Sequence, residues 1–271
     1  NQQMKGMEIM YQYCFSLLAA ACVLGLSAQE KNVPEKTFET PLYQAKLSEP
    51  YYWKTSGVFD LRFNGKKLGG GYLILADGIK DGKNHIRIAT LPNLEYTTTR
   101  KDDELVLKNR RQMAPKDRKD EIWAVMEETI TLKPQAIQFA VTVTADRDIQ
   151  FNRFRNILFE VHNAVPVKDI ENATMEGSKA DGTSDMAMVE PKEKFDKTKW
   201  PVKGNYQSVR IAGGKDIITF RAGKNAVIRV VHYGGSGIEI YGAYHRANPD
   251  RRSFILKKGE KLEWDYSIDF E

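Results

Sequence analysis

Apolar and polar residues alternate along most of this chain with a period of two. In Val58–Phe63 the residues Phe59, Leu61 and Phe63 alternate with Asp60 and Arg62, and Asn64-Gly65-Lys66-Lys67 reads as a tight hairpin turn. The clearest run is 137–145, with Ile137, Phe139, Val141 and Val143 on one face and Gln138, Thr142 and Thr144 on the other. Strict alternation over that length predicts a sheet with one buried and one wetter face. Further strands are expected at 72–76, 85–91, 105–107, 123–132, 151–161, 208–211, 217–220, 226–232, 237–241, 253–256 and 261–270. About a dozen strands divided by Gly, Asn, Asp and Pro turns predict an all-β chain, a large antiparallel two-sheet β-sandwich in a single domain over 51–271. Residues 29–50 read as an extended lead-in.

Two polar stretches interrupt the pattern. Residues 108–121 hold Arg110, Arg111, Lys116, Arg118 and Lys119, interleaved with Asp117, Asp120 and Glu121. Nucleic-acid surfaces need unopposed cations, so this run reads as a solvated hairpin tip and no nucleic-acid partner is expected. Residues 171–205 show little apolar periodicity and read as a long loop, a kind of segment usually tied to function or disorder.

The first 28 residues follow a different rule. Lys5 precedes the apolar stretch Tyr13–Leu26, and small Ser27 and Ala28 lead into Gln29, Glu30 and Lys31. A charged start, a short apolar core and a small-residue exit predict a secretory signal peptide over 1–28. The apolar run is short of the roughly 20 residues that span a bilayer, so no transmembrane segment is expected once the signal is removed. Export to a bacterial periplasm, cell surface or medium follows. Ala19-Ala20-Ala21-Cys22 partly resembles a lipoprotein box, which makes Cys22 a candidate lipid anchor. Cys14 and Cys22 are the two cysteines of the chain. The chain after residue 28 therefore has no disulfide framework, Cys-ligated zinc or cysteine nucleophile. The formal net charge is +5 over 271 residues, too small a surplus to dictate a partner.

Candidate chemistry is sparse. The histidines His85, His162, His232 and His245 form no metal-binding spacing, and no metal or cofactor is expected. Asp181, Asp185 and Glu190 flank Gly182 but miss the EF-hand spacing. Glu160 and His162 sit two apart on an expected strand, a spacing that suits an acid–base pair. Tyr241 and His245 form a second weak catalytic candidate. For ligand contact the residues singled out are Trp200, in the polar stretch before Pro201, and Tyr241, Tyr244, His245 and Arg246. Exposed aromatic rings stack on sugar rings while neighbouring polar groups fix hydroxyls. Trp123 and Trp264, inside alternating runs, read as core.

Three segments carry a family resemblance: GVFDLRFNGKKLGG at 57–70, EETITLKPQAIQFAVTV at 127–143 and FILKKGEKLEWDYSIDF at 254–270. The Thr131-Leu132-Lys133-Pro134 strand entry and the Leu256-Lys257-Lys258-Gly259-Glu260-Lys261-Leu262 run are similar to those of galactose-mutarotase-like supersandwich domains of bacterial polysaccharide-processing proteins. The resemblance implies the sandwich fold and a glycan or polysaccharide partner. It carries over no catalytic residue. The expected function is carbohydrate recognition, alone or as an accessory to polysaccharide degradation. The alternatives are a glycan-active enzyme (a polysaccharide lyase or glycoside hydrolase) and a cell-envelope structural protein without a small ligand.

Overall fold

A computed structural model of the chain describes residues 37–47, 58–69, 71–74, 77–80, 83–115, 118–151, 157–165, 167–191, 193–194, 196, 198–232, 237–245 and 254–271. Side chains are described except at 58–60, 67–69, 71–74, 77–80, 83–93, 151, 157–164, 167, 245 and 254. The proposed signal segment with Cys22, and Arg246, lie outside the described residues.

The strands in chain order are β1 (Thr37–Glu39), β2 (Tyr43–Leu47), β3 (Val58–Phe63), β4 (Lys66–Gly69), β5 (Gly71–Ile74), β6 (Asp77–Lys80) and β7 (Lys83–Lys101). There follow β8 (Glu104–Pro115), β9 (Ala124–Lys133), β10 (Ala136–Ala145), β11 (Ile149–Phe151) and β12 (Ile157–Val165). A one-turn helix α1 (Val167–Ile170) leads to β13 (Thr174–Ser178), β14 (Ser184–Met188), β15 (Gly204–Tyr206), β16 (Ser208–Gly213) and β17 (Asp216–Ala222). The chain closes with β18 (Ala226–His232), β19 (Ile238–His245), β20 (Phe254–Leu256) and β21 (Lys261–Phe270). A 12-stranded sheet has the order β14-β13-β16-β17-β21-β10-β9-β8-β7-β6-β11-β20. A five-stranded sheet, β15-β18-β19-β12-β5, and a four-stranded sheet, β1-β2-β3-β4, pack against it. The pairings are antiparallel, and the result is the expected β-sandwich.

The alternation read from the sequence sets the layers. Ile137, Phe139, Val141 and Val143 of β10 are buried, as are Leu262, Trp264, Tyr266, Ile268 and Phe270 of β21. Register places Phe139 beside Tyr266, with rings stacked 4.4 Å apart. Each such buried side chain stabilises by about 1.5–3 kcal/mol relative to exposure. The Asn64-Gly65 turn joins β3 to β4 with φ of 46° and 75°, the left-handed pair of a type I′ hairpin.

Two close approaches fix the smaller sheets. A Cβ at Gly242 of β19 would lie 2.2–2.4 Å from the Tyr266 ring, so glycine there lets the five-stranded sheet reach the large one. The Trp264 indole N–H points at the Gly242 carbonyl, 3.4 Å away. From the four-stranded sheet Tyr43 stacks on Phe270 at 4.4 Å and donates its hydroxyl to the Lys133 carbonyl at 2.6 Å. Residues 37–47, which fall within the expected lead-in, thus form two strands that enter the core.

The described residues hold 21 strands, with short ones such as β1, β4, β11 and β15 adding to the runs read from the sequence. The structure corrects two expectations. The basic run is not a hairpin tip through residue 115. Lys108, Arg110 and Arg111 lie inside β8, and Arg111 is buried. The 171–205 stretch is not one loop, since β13 and β14 pair as a hairpin at the edge of the large sheet. Both faces of β14 are at least partly open to solvent, so its sequence has no apolar period to show.

Candidate functional site

The five-stranded sheet has two unlike faces. Ile238 and Ile240 of β19, with Ile228 and Val230 of β18, join the main core. The opposite face carries Glu239, Tyr241 and Ala243 on β19 and Val227, Arg229 and Val231 on β18. There Val227, Tyr241 and Ala243 form a separate small cluster, with Tyr241 only 3 % exposed. A tyrosine that deep needs a partner for its hydroxyl. Tyr241 donates it to Oε2 of Glu239, two residues back on the same face.

Register builds a row through this tyrosine. Tyr241 pairs with Arg229 on β18 and with His162 on β12, and His162 pairs in turn with Tyr72 on β5. Arg229 pairs with Asn205 on β15. Ladder neighbours on antiparallel strands stand about 4.5–5.5 Å apart. The row therefore sets a phenol beside a guanidinium, with a carboxylate one step along the strand and a histidine position across the ladder. Glu160 is one step along β12, paired with Ala243 and Ile74. Such a set suits hydroxyl recognition, charge neutralisation and proton transfer.

The sequence-derived candidates divide accordingly. Glu160, His162 and Tyr241 occupy neighbouring positions of this sheet, although the side chains of Glu160 and His162 lie outside the described ones. His245 pairs with Ile157 at the end of β19, and its side chain too lies outside them. Tyr244 is three residues from Tyr241 and faces the other way, meeting Trp264 edge-on at 6.0 Å. Tyr241 and Tyr244 therefore do not form one platform, because odd spacing on a strand puts them on opposite faces.

Trp200 is no exposed platform either. It is 5 % exposed and donates its indole N–H to the Val202 carbonyl at 3.0 Å. His232 Nε2 lies 2.9 Å from the same oxygen, with the two rings edge to face at 5.4 Å. A carbonyl only accepts, so Nε2 carries the hydrogen. Burial holds the His232 imidazole below the usual histidine range. Trp200 is thus a peg that ties 200–202 to β18. The acidic residues of the 171–205 stretch serve the fold as well. Asp181 accepts from the hydroxyl and N–H of Thr183, and Asp185 from Lys179 and Tyr206, contacts that hold both carboxyls below the usual range. No group of three or more metal-binding side chains occurs among the described residues.

Sequence reasoning missed a buried polar cluster in the large sheet. Asn109 and Arg111 of β8 and Glu128 of β9 point into the core. Arg111 Nη2 and Asn109 Nδ2 both reach Glu128 Oε2, at 3.0 and 2.9 Å. The signal was present in the alternation of Leu105, Leu107, Asn109, Arg111 and Met113, which places two polar residues in an inward register.

No protein-family model and no curated protein matches the chain. Solved structures do. A protein of Synechocystis sp. PCC 6803 superposes with a TM-score of 0.54 at 10 % identity, covering 89 % of this chain and 99 % of its own. A galactose mutarotase-like protein of Clostridium acetobutylicum gives 0.54 at 10 % identity, covering 87 % and 94 %. A putative aldose 1-epimerase of Escherichia coli K12 gives 0.51 at 12 % identity, covering 87 % and 98 %. The chain has the galactose-mutarotase-like fold. Identities this low establish architecture and no chemistry. Within this galactose-mutarotase-like sandwich no described helix is long and apolar enough to cross a membrane.

Proposed function

We propose that the protein is an exported carbohydrate-recognition protein, and that the Tyr241 row of the five-stranded sheet is where it meets a sugar. The observation that carries this reading is the Tyr241–Glu239 hydrogen bond on a face where register adds Arg229 and the His162 position. The half-buried Glu239 carboxylate and Arg229 guanidinium supply an acceptor and donors suited to vicinal hydroxyls, and the buried Tyr241 holds that carboxylate in place. Charged partners make the stronger hydrogen bonds. The fold neighbours named for galactose chemistry point the same way by analogy. Export rests on the leader over residues 1–28, with Cys22 as a candidate anchor.

The test is a glycan array with the purified protein, repeated with Tyr241→Phe and Arg229→Ala. Sugar binding that drops at least tenfold in both variants supports the reading. Binding unchanged in both moves the site off this sheet. Failure to bind any glycan favours the envelope-protein alternative. A second reading, turnover of the bound sugar, is favoured by the phenol–carboxylate pair beside a histidine position, which is a proton-transfer set. Product analysis of each bound glycan separates the two: chain shortening, an unsaturated uronate or anomer exchange would make the protein an enzyme.

A further inference from the structure

The solvent face of the large sheet carries its own architecture, on different strands from the Tyr241 row. Register aligns Glu95 of β7, Arg110 of β8, Glu127 of β9, Thr142 of β10 and Glu263 of β21 in one line across five strands. At about 4.8 Å per strand that line is about 19 Å long. Arg110 sits between two carboxylates, 3.6 Å from Glu95 and 3.7 Å from Glu127, and Lys224 closes the far end 3.8 Å from Glu263. The line borders a cavity of about 570 Å³.

The next line along the strands is its floor: Lys108, Thr129, Ala140 and Asp265, paired in that order. Small side chains at its centre leave the depression, while a lysine and an aspartate that enter no ion pair among the described residues stand at its ends. A Cβ at Gly223 would lie 1.6 Å from Asp265 Oδ1, so glycine there makes room for that carboxylate. Thr129, Ala140 and Asp265 also line an adjoining cavity of about 430 Å³. The two cavities share these three residues and together make the groove.

Exposed ion pairs of this kind contribute little to stability, so the fold does not account for the ladder. Its chemistry selects an occupant. The large apolar residues that border it, Phe139, Val141, Trp264 and Tyr266, are buried, so none offers an exposed side chain to anchor a peptide. Four carboxylates at least partly open to solvent (Glu95, Glu127, Glu263, Asp265) stand against four cations (Lys108, Arg110, Lys224, Arg221), so the groove has no net charge to draw a polyanion. The acceptors and donors alternate along a trough long enough for several linked rings, and neighbouring charges of opposite sign hold each other in place to meet hydroxyls. We propose that this groove is a second binding site, for a chain of neutral sugar residues, separate from the Tyr241 row.

The test is affinity gel electrophoresis of the purified protein in gels cast with xylan, mannan, galactan or β-1,3-glucan, and with alginate as an acidic comparison. The expected result is retardation by at least one neutral polymer. Thr129→Trp and Ala140→Arg, which fill the floor from solvent-facing positions, should each weaken it at least tenfold, with melting temperatures confirming that they fold. All gels are run in a Tyr241→Phe background, which disables the site proposed above, so that retardation lost with a floor variant reports this groove alone. No retardation by any neutral polymer, stronger retardation by alginate, or retardation that survives a folded floor variant would each overturn the proposal.

Discussion

Arg111 and Glu128 meet at 3.0 Å with neither side chain open to solvent. Two charges in a sandwich core cost desolvation that their attraction only partly repays. Removing one partner strands the other. At pH 8, Arg111→Met, which strands the ionised Glu128 carboxylate, should cost about 3–5 kcal/mol in denaturant unfolding. The joint replacement Arg111→Met with Glu128→Met should recover most of that loss. A joint variant as unstable as the single one would show that the polar cluster has a role that apolar packing cannot fill.

The same pair makes stability depend on pH. Burial pushes the Glu128 carboxyl up to about 7, against the lowering pull of Arg111 and Asn109. Burial wins because Oε1 has no hydrogen-bond donor among the described residues. The folded protein then keeps a proton on Glu128 that the unfolded chain releases at the ordinary value of 4.5. Between those values the native state binds more protons, so stability is full at the acid end and falls as pH rises. Melting temperatures from pH 4.5 to 7.5 should decline for the wild type relative to Glu128→Gln. Parallel profiles would refute the assignment.

Gly242→Ala should destabilise by about 1–3 kcal/mol, the usual cost of overpacking. The added methyl group meets the Tyr266 ring, and that ring is held against Phe139 and cannot swing aside. Tyr266→Ala on top of Gly242→Ala should therefore cost less than Tyr266→Ala alone plus Gly242→Ala alone. Strict additivity in thermal unfolding would mean that the two sheets separate without this contact.

Trp200→Phe keeps a ring but loses the N–H that Val202 accepts, a loss of about 1 kcal/mol. It should leave sugar binding untouched, whereas Tyr241→Phe weakens it. A Trp200→Phe protein that folds normally and no longer binds sugar would return the site to the 200–202 segment.

The fold was legible wherever a strand has one wet and one dry face. β10 and β21 announce themselves by alternation, and the Asn64-Gly65 turn by its residue types. The edge strand β14 was hidden because solvent reaches both its sides. The site was legible only in part. Glu160, His162 and Tyr241 were visible as polar or aromatic residues at strand spacing. What brings His162 across from Tyr241 is a pairing between distant strands that no local pattern encodes. Arg110 and Arg111 were read as one charged run, yet one faces water and the other the core. The parity of a strand decides between them, and the charges in the run concealed that parity.

The stacking of Tyr43 on Phe270 has a consequence for the order of assembly. The two rings belong to strands at opposite ends of the described chain, and Tyr43 also leans on the β9–β10 turn through the Lys133 carbonyl. During synthesis β2 emerges well before β21, so Tyr43 has Phe38 of β1 and then the β9–β10 turn as partners before Phe270 has been made. The contact spans most of the described chain, and such contacts repay their loop-closure entropy late. Shortened chains that stop before β21 would therefore leave Tyr43 and Phe63 without the Phe270 ring they pack on, as an open adhesive patch.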